Sequence, residues 1–300
     1  MIDTQQLTKA FGSNRAVREL DMRIDKGEIV GLLGPNGAGK TTIIRLLNGL
    51  LAPTSGQVRV QGMDPIRQGE RVRALCGTLT EHTGLYEHMS GRANLRFFAD
   101  LYHVSDPGRI EELIDLLELR SFVERSVGTY STGMKKRLGL AKVLLHRPAV
   151  LLLDEPTNGL DPDGTKQVLD HIKALNQHER TTILICSHVL SQLEGVCTRY
   201  LFLEKGTKIE EGTRKELERK YIRERTVEVE AALGEPLESF AEFHPVRLDD
   251  DRFRFTVPDR EQMAELLRRL ASAGELYGAQ TRNADLESIY FQIRRNSHAG

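Results

Sequence analysis

Most of what marks a secreted or membrane-spanning protein is missing from these 300 residues. Cysteine occurs three times, at Cys76, Cys186 and Cys197, without C-x-x-C spacing. That argues against a disulfide framework and for a reducing compartment, with the thiols serving as small apolar filler. No apolar run approaches the roughly 18 residues that a membrane-spanning helix needs. The opening "MIDTQQLTKAF" lacks a basic-then-apolar leader pattern, so the chain is expected to be soluble and to stay inside the cell. An excess of charge of one sign is absent too. Lys and Arg total 42 against 43 Asp and Glu, a net charge of -1, so no bulk positive field argues for a nucleic-acid partner. Neither an internal repeat nor a low-complexity tract is visible.

What is present alternates. Short apolar blocks at Ile29–Leu33, Val150–Leu153 and Thr182–Cys186 are each followed by a polar loop. Runs of that length suit central strands of a parallel sheet covered on both faces. Helical periodicity lies between them, at Arg109–Leu119, Met134–Leu145 and Gly164–Leu175, which makes the chain α/β. The segment before Ile29 alternates apolar and polar positions and predicts a small antiparallel β layer. A charged connector spans Gly206–Tyr221. Beyond it "RTVEVEA" predicts a strand, "PLESFAEF" a short helix and "VRLDDDRFRFTV" a hairpin. "DREQMAELLRRLAS" predicts a helix capped by Asp259, "LYGAQT" a strand and "ADLESIYFQI" a last helix. That order is the split βαβ, ferredoxin-like plan, so a small accessory α+β domain is expected over 218–300.

Three motifs carry chemistry. "GPNGAGKTT", Gly34–Thr42, lies between a strand and a helix and matches G-x-x-x-x-G-K-[ST]. Its glycines let successive backbone N–H groups turn onto phosphates at a helix N-terminus. The candidate cradle is Gly34, Asn36, Gly37, Ala38, Gly39, Lys40, Thr41 and Thr42. Lys40 is placed to reach the β- and γ-phosphates and the Thr41 hydroxyl to ligate Mg²⁺. "VLLLDEP", Val150–Pro156, ends a buried strand in two carboxylates that alternation points to different places. Asp154 is the candidate for the Mg²⁺ shell, and Glu155 the base that polarises the attacking water. "ICSHVL" sets His188 just past another buried strand, within reach of a γ-phosphate. Together these imply Mg-dependent hydrolysis of a nucleoside triphosphate.

A further segment narrows the family. "YSTGMKKRL", Tyr130–Leu138, resembles the signature sequence of ABC ATPases, with Ser131 and Gly133 kept, Thr132 in place of a Gly and Met134 in place of a Gln. "NGLDP", Asn158–Pro162, resembles the D-loop that carries Asp161. Phe11 resembles the aromatic that stacks on adenine, and Val17 its apolar neighbour. The motifs run in family order over residues 1 to about 215. The resemblance implies a P-loop NTPase core at 1–217 with a helical subdomain at about 82–145. It also implies a head-to-tail dimer with a second copy or a paralogous ATPase, in which Ser131, Gly133 and Asp161 meet the partner's ATP. The segment between cradle and signature resembles the one that contains the Q-loop and contacts a membrane permease. Glu81 stands there where the family has Gln, as a third candidate for the Mg²⁺ shell. Leu85, Tyr86 and Met89 are candidates for receiving a short cytoplasmic helix, while Phe97, Phe98 and Tyr102 are expected in the local core.

Roughly 90 residues separate Thr41 from Ser131, with no sustained heptads of the kind that chromosome and repair ATPases carry. The expectation is therefore an ATP-hydrolysing subunit at the cytoplasmic face of the membrane, powering transport through a separate permease. "YSTGMKKRL" and the C-terminal appendage are similar to bacterial drug, antibiotic, lipid or ion exporters. The alternative is a soluble ATPase of the superfamily that acts on the ribosome or on a repair complex.

Overall fold

The computed structural model describes residues 1–298. The chain divides into two compact units, Met1–Glu211 and the part from Gly212 onward. The division falls inside the charged connector expected at Gly206–Tyr221, a little before the boundary at 217.

In the first unit, β1 (Ile2–Phe11), β2 (Asn14–Ile24), β3 (Ile29–Leu33), α1 (Lys40–Leu47) and β4 (Ser55–Val60) are followed by α2 (Gly69–Leu75) and β5 (Cys76–Leu79). Three helices come next, α3 (Gly91–Leu101), α4 (Arg109–Leu116) and α5 (Thr132–Leu144). The unit closes with β6 (Val150–Asp154), α6 (Pro162–Glu179), β7 (Thr182–Ser187), α7 (Leu190–Leu193), β8 (Arg199–Glu204) and β9 (Thr207–Gly212). One sheet is ordered β5-β6-β7-β3-β8-β9, with parallel pairing from β5 through β8. Every residue of β3, β6 and β7 is buried, as unbroken apolar runs covered on both faces require. A second sheet, β2-β1-β4, is antiparallel, as the alternating N-terminal pattern predicts. Ile2, Leu7, Leu20, Ile24 and Val58 of this layer share one core with Leu32, Ile43 and Leu152.

Caps explain where the helices start. Asp161 accepts from the Gly164 N–H at 2.8 Å, and Pro162 opens α6 where no N–H is needed. Ser90 and Ser131 cap α3 and α5 in the same way. One expectation about the helical region does not hold. Phe98 is buried, but Phe97 is 41% and Tyr102 38% exposed. Adjacent residues of a helix point about 100° apart, so Phe97 and Phe98 cannot share one face, and Tyr102 is already the C-cap of α3.

The second unit contains α8 (Arg214–Tyr221), β10 (Arg225–Leu233), a 3-10 segment (Leu237–Phe243), β11 (Val246–Arg247), β12 (Arg252–Val257), α9 (Arg260–Ala273), β13 (Gly274–Thr281) and α10 (Leu286–His298). Its sheet is ordered β11-β12-β10-β13, antiparallel throughout. That is the strand order of the split βαβ plan, with a 3-10 segment where the sequence predicts a first helix. Val227, Val229, Phe253, Phe255, Leu266 and Leu270 form its own core.

Candidate active site

Three neighbouring strands of the parallel sheet deliver the chemistry at their carboxyl ends, where open α/β sheets bind ligands. The Gly34–Thr42 loop follows β3, Asp154 and Glu155 end β6, and His188 follows β7. The loop is built around contacts that only glycine permits. Gly39 has φ +104°, and a Cβ there would lie 2.3 Å from the Ala16 carbonyl oxygen. A Cβ on Gly34 would lie 2.4 Å from the Leu203 carbonyl oxygen.

Inside the loop the Lys40 ammonium donates to the Gly34 carbonyl at 2.7 Å and the Pro35 carbonyl at 3.2 Å. It also lies 3.5 Å from Glu155 Oε1. The other Glu155 oxygen is 3.0 Å from His188 Nδ1. The Glu155 backbone is left-handed, with φ +49°. Its N–H donates to the Cys186 carbonyl, and its own carbonyl accepts from the Asn158 N–H. Thr41 Oγ1 donates to Asp154 Oδ2 at 2.7 Å. Asp154 Oδ1 is buried with no hydrogen-bond partner. Burial pushes the Asp154 carboxyl above its usual range, and the charges of Glu155 and Glu81 add to this against Thr41 and Lys40. The Glu81 carboxylate accepts from Asn158 Nδ2 at 3.1 Å.

These groups open onto a cleft of about 380 Å³ lined by Phe11, Asn14, Ala16, residues 36–42, Glu81, Asp154 and Glu155. Phe11 is 49% exposed at its edge, with the Lys9 ammonium 5.1 Å from the ring centroid. A separate cleft of about 440 Å³ joins Ser131, Gly133 and Met134 to Leu160, Asp161 and Gly164. It places the signature segment and the D-loop segment together, apart from the cradle, and shares no lining residue with the first cleft.

The arrangement agrees with what the chain is similar to. The family model described as ABC transporter matches residues 17–158. The bacitracin transport ATP-binding protein BcrA of Bacillus licheniformis is 39% identical over 211 residues, 70% of this chain and 69% of that protein. The daunorubicin resistance ATP-binding protein DrrA3 of Streptomyces coeruleorubidus is 35% identical over 295 residues, 95% of this chain and 93% of that one.

The chain is an ABC transporter ATP-binding protein.

The fold agrees. A solved structure described as the ATP-binding subunit of an ABC transporter superposes with a TM-score of 0.67 at 25% identity, over 74% of this chain and 93% of its own. As a member of this family the chain binds and hydrolyses ATP to power transport, and the soluble alternative is not favoured. No described helix is long and apolar enough to cross a membrane.

Within the ABC site, one expected residue is corrected. Val17 lies fully buried in the core under β2 and does not line the cleft. Its neighbour Ala16 does. Alternation carried back from the buried Leu20, Met22 and Ile24 would turn Val17 outward, but β2 shifts register against β1 beside Glu19, whose φ is +43°, and burial changes phase there, so the sequence pattern alone does not mark Ala16. Asn14 and Lys136 also stand at the site without having been singled out. Lys136 is only 4% exposed and donates to the carbonyls of both Glu81 and Glu155 at 3.1 Å. Burial pushes its ammonium below the usual lysine range, against the pull of Glu81, Asp154 and Glu155. Only packing reveals this, because a lysine in "MKKRL" reads as a solvated charge. Near the expected permease contact, Tyr86 is exposed while Leu85 and Met89 are half-buried. A larger groove of about 440 Å³ opens beside Thr41 and Asp154, with Ile44, Leu50, Tyr102 and Val143 in its apolar wall.

Proposed function

We propose that the cradle holds ATP with Mg²⁺ and that Glu155 is the base of hydrolysis. The observation that carries this is the placement of Glu155. Its two carboxylate oxygens are held between Lys40 at 3.5 Å and His188 at 3.0 Å, at the mouth of the cleft. Phe11 stacks on the adenine, with Ala16 beside it. Residues 36–42 surround the phosphates with backbone N–H groups. Lys40 exchanges its loop carbonyls for the β- and γ-phosphates. Glu155 accepts the proton of the attacking water, and His188 orients the carboxylate and meets the γ-phosphate.

Asp154 and Thr41 would hold the metal, with Glu81 facing it. The orphaned Asp154 Oδ1 beside a threonine hydroxyl suits an ion that takes one or two carboxylates and keeps its remaining positions for water and phosphate. Mg²⁺ held there would supply neutralisation of the charge that develops on the β- and γ-phosphates.

The second cleft needs a nucleotide from elsewhere. Ser131 caps α5, Gly133 exposes backbone N–H groups, and Asp161 stands beside them. This supports a head-to-tail dimer, with itself or a paralogue, in which each cradle is closed by the partner's signature. Hydrolysis then opens the pair. The chain sits at the cytoplasmic face of the membrane, docked on a separate permease whose short cytoplasmic helix enters the groove beside Asp154. Transport is outward, as the names of the bacitracin and daunorubicin relatives suggest. The transported molecule touches the permease, which therefore sets specificity.

The test is Glu155→Gln. It should bind Mg-ATP and hydrolyse it about 10²- to 10⁴-fold more slowly. Trapped in that state and purified from detergent-solubilised cells, it should bring down a stoichiometric polytopic membrane protein. Ribosomes or repair proteins in its place would overturn the permease assignment, and near-normal hydrolysis would remove Glu155 from its role.

A further inference from the structure

Lys136 joins parts of the site that the reading above treats separately. It lies in the second turn of α5, the helix whose first residues form the signature and whose cap is Ser131. The residue as a whole is 4% exposed, and its ammonium spends two donors on main-chain oxygens. One is the Glu81 carbonyl and the other the Glu155 carbonyl, each at 3.1 Å. Lysine stems pack along apolar surface while the head reaches a distant acceptor, so one side chain can hold two loops that arrive from different strands. Glu155 needs such a hold. It bears a β-carbon yet adopts φ +49°, a conformation that persists only where the surroundings over-determine it. The surroundings are the Cys186 carbonyl on its N–H and the Asn158 N–H with Lys136 on its carbonyl. The neighbouring Lys135 behaves differently, running outward to the exposed Glu87 carboxylate at 2.6 Å.

We propose that Lys136 is a positioning residue for hydrolysis, pinning the backbone of Glu155 and of Glu81 to the signature helix so that the Glu155 carboxylate keeps its aim at the cleft. A shift of the signature end of α5 then moves the aim of the base in the same chain. The inference rests on Glu155 acting as the base. It concerns the geometry of attack rather than nucleotide affinity, and that is what separates it from a purely structural role.

The experiment is steady-state ATP hydrolysis by the purified full chain, with fluorescent-nucleotide binding and thermal melting on each variant. Lys136→Met should lower kcat by about tenfold or more, because small misplacement of a catalytic group is that costly, while the KM for ATP stays within about threefold. Lys136→Arg, which keeps the donors and the charge, should recover a rate within about threefold of the parent. Lys135→Met, an equal loss of charge one residue away, should stay within about twofold because its ion pair is exposed. In a Glu155→Gln background the Lys136→Met change should alter the residual rate by less than about twofold, since groups acting through one another are not additive. Unchanged kcat in Lys136→Met, a loss carried by KM alone, or an undiminished loss in the Glu155→Gln background would each overturn the inference. If Lys136→Met melts too low to assay, Lys136→Gln, which keeps a shorter neutral donor, carries the same comparisons. Near-normal hydrolysis by Glu155→Gln alone is the separate signal that the base itself was misassigned.

Discussion

At the scale of single residues, the cradle depends on the difference between two glycines. Gly39 and Gly37 both have positive φ, +104° and +80°, but their surroundings differ. A Cβ at Gly39 would meet a backbone carbonyl at 2.3 Å, whereas one at Gly37 would meet nothing within 4 Å. Gly39→Ala should therefore weaken ATP binding by about tenfold or more, as the loop must move off the Ala16 carbonyl. Gly37→Ala should carry only the left-handed penalty of about 1 kcal/mol, and equilibrium nucleotide titrations of the two variants check the order. Glu81 is the other residue with a distinct expectation. It adds a negative charge to a cleft already holding Asp154 and Glu155, and its charge helps to push the Asp154 carboxyl upward. Glu81→Gln keeps the acceptor for Asn158 and removes that charge. It should raise ATP turnover by roughly severalfold through reduced repulsion of the γ-phosphate. Unchanged turnover, alone and with the permease, would show that the charge is inconsequential.

Individual elements owe their positions to groups the periodic pattern does not reveal. The start of α8 carries a full capping box, Thr213 with Glu216. Its next turn places Glu218 against Arg214 at 2.8 Å, Arg225 at 3.2 Å and Arg260 at 3.3 Å. This buried carboxylate therefore ties together α8, the first residue of β10 and the first residue of α9. Burial works to raise the Glu218 carboxyl, but the ion pairs with Arg214 and Arg225 outweigh it and hold the group below its ordinary 4.5. A carboxyl lowered in the folded state contributes stability that is present above the ordinary range and lost as pH falls through the folded value. Glu218→Gln should cost about 1–3 kcal/mol at pH 7 and noticeably less near pH 3, where the parent has lost the same contribution. Thermal unfolding at the two pH values checks it. Helix α3 illustrates the opposite case. Its aromatics suggest a core stripe, yet Phe97 faces outward and stacks edge-on against exposed Tyr86 at 5.0 Å.

For the whole molecule, the decisive feature is that two compact units have separate cores. Phe255 is fully buried in the second, edge-on to Phe240 at 6.1 Å. Phe255→Ala should destabilise the second unit by about 3–5 kcal/mol. Hydrogen exchange followed by peptide should show the loss of protection over β10, β12 and β13, while the first unit keeps its protection. A uniform loss over both units would mean that they unfold as one.

The sequence by itself determined the α/β class, the parallel core, the antiparallel layer and the order of the motifs. Buried strands and phosphate loops are local: β3 and the glycines of "GPNGAGKTT" announce themselves because each residue type answers a local need for burial or for unusual φ. The split βαβ order of the second unit was legible for the same reason, since its strands and α9 each show their own period. Only the tertiary structure decided which side of β2 faces the nucleotide, so that Ala16 and not Val17 lines the cleft. It also decided which aromatic of α3 is buried, and that Lys136 turns inward while Lys135 turns out. Those outcomes depend on what packs against a residue from segments far away in the chain. A residue's type and spacing constrain its element, but its partners are fixed only when the strands and helices come together.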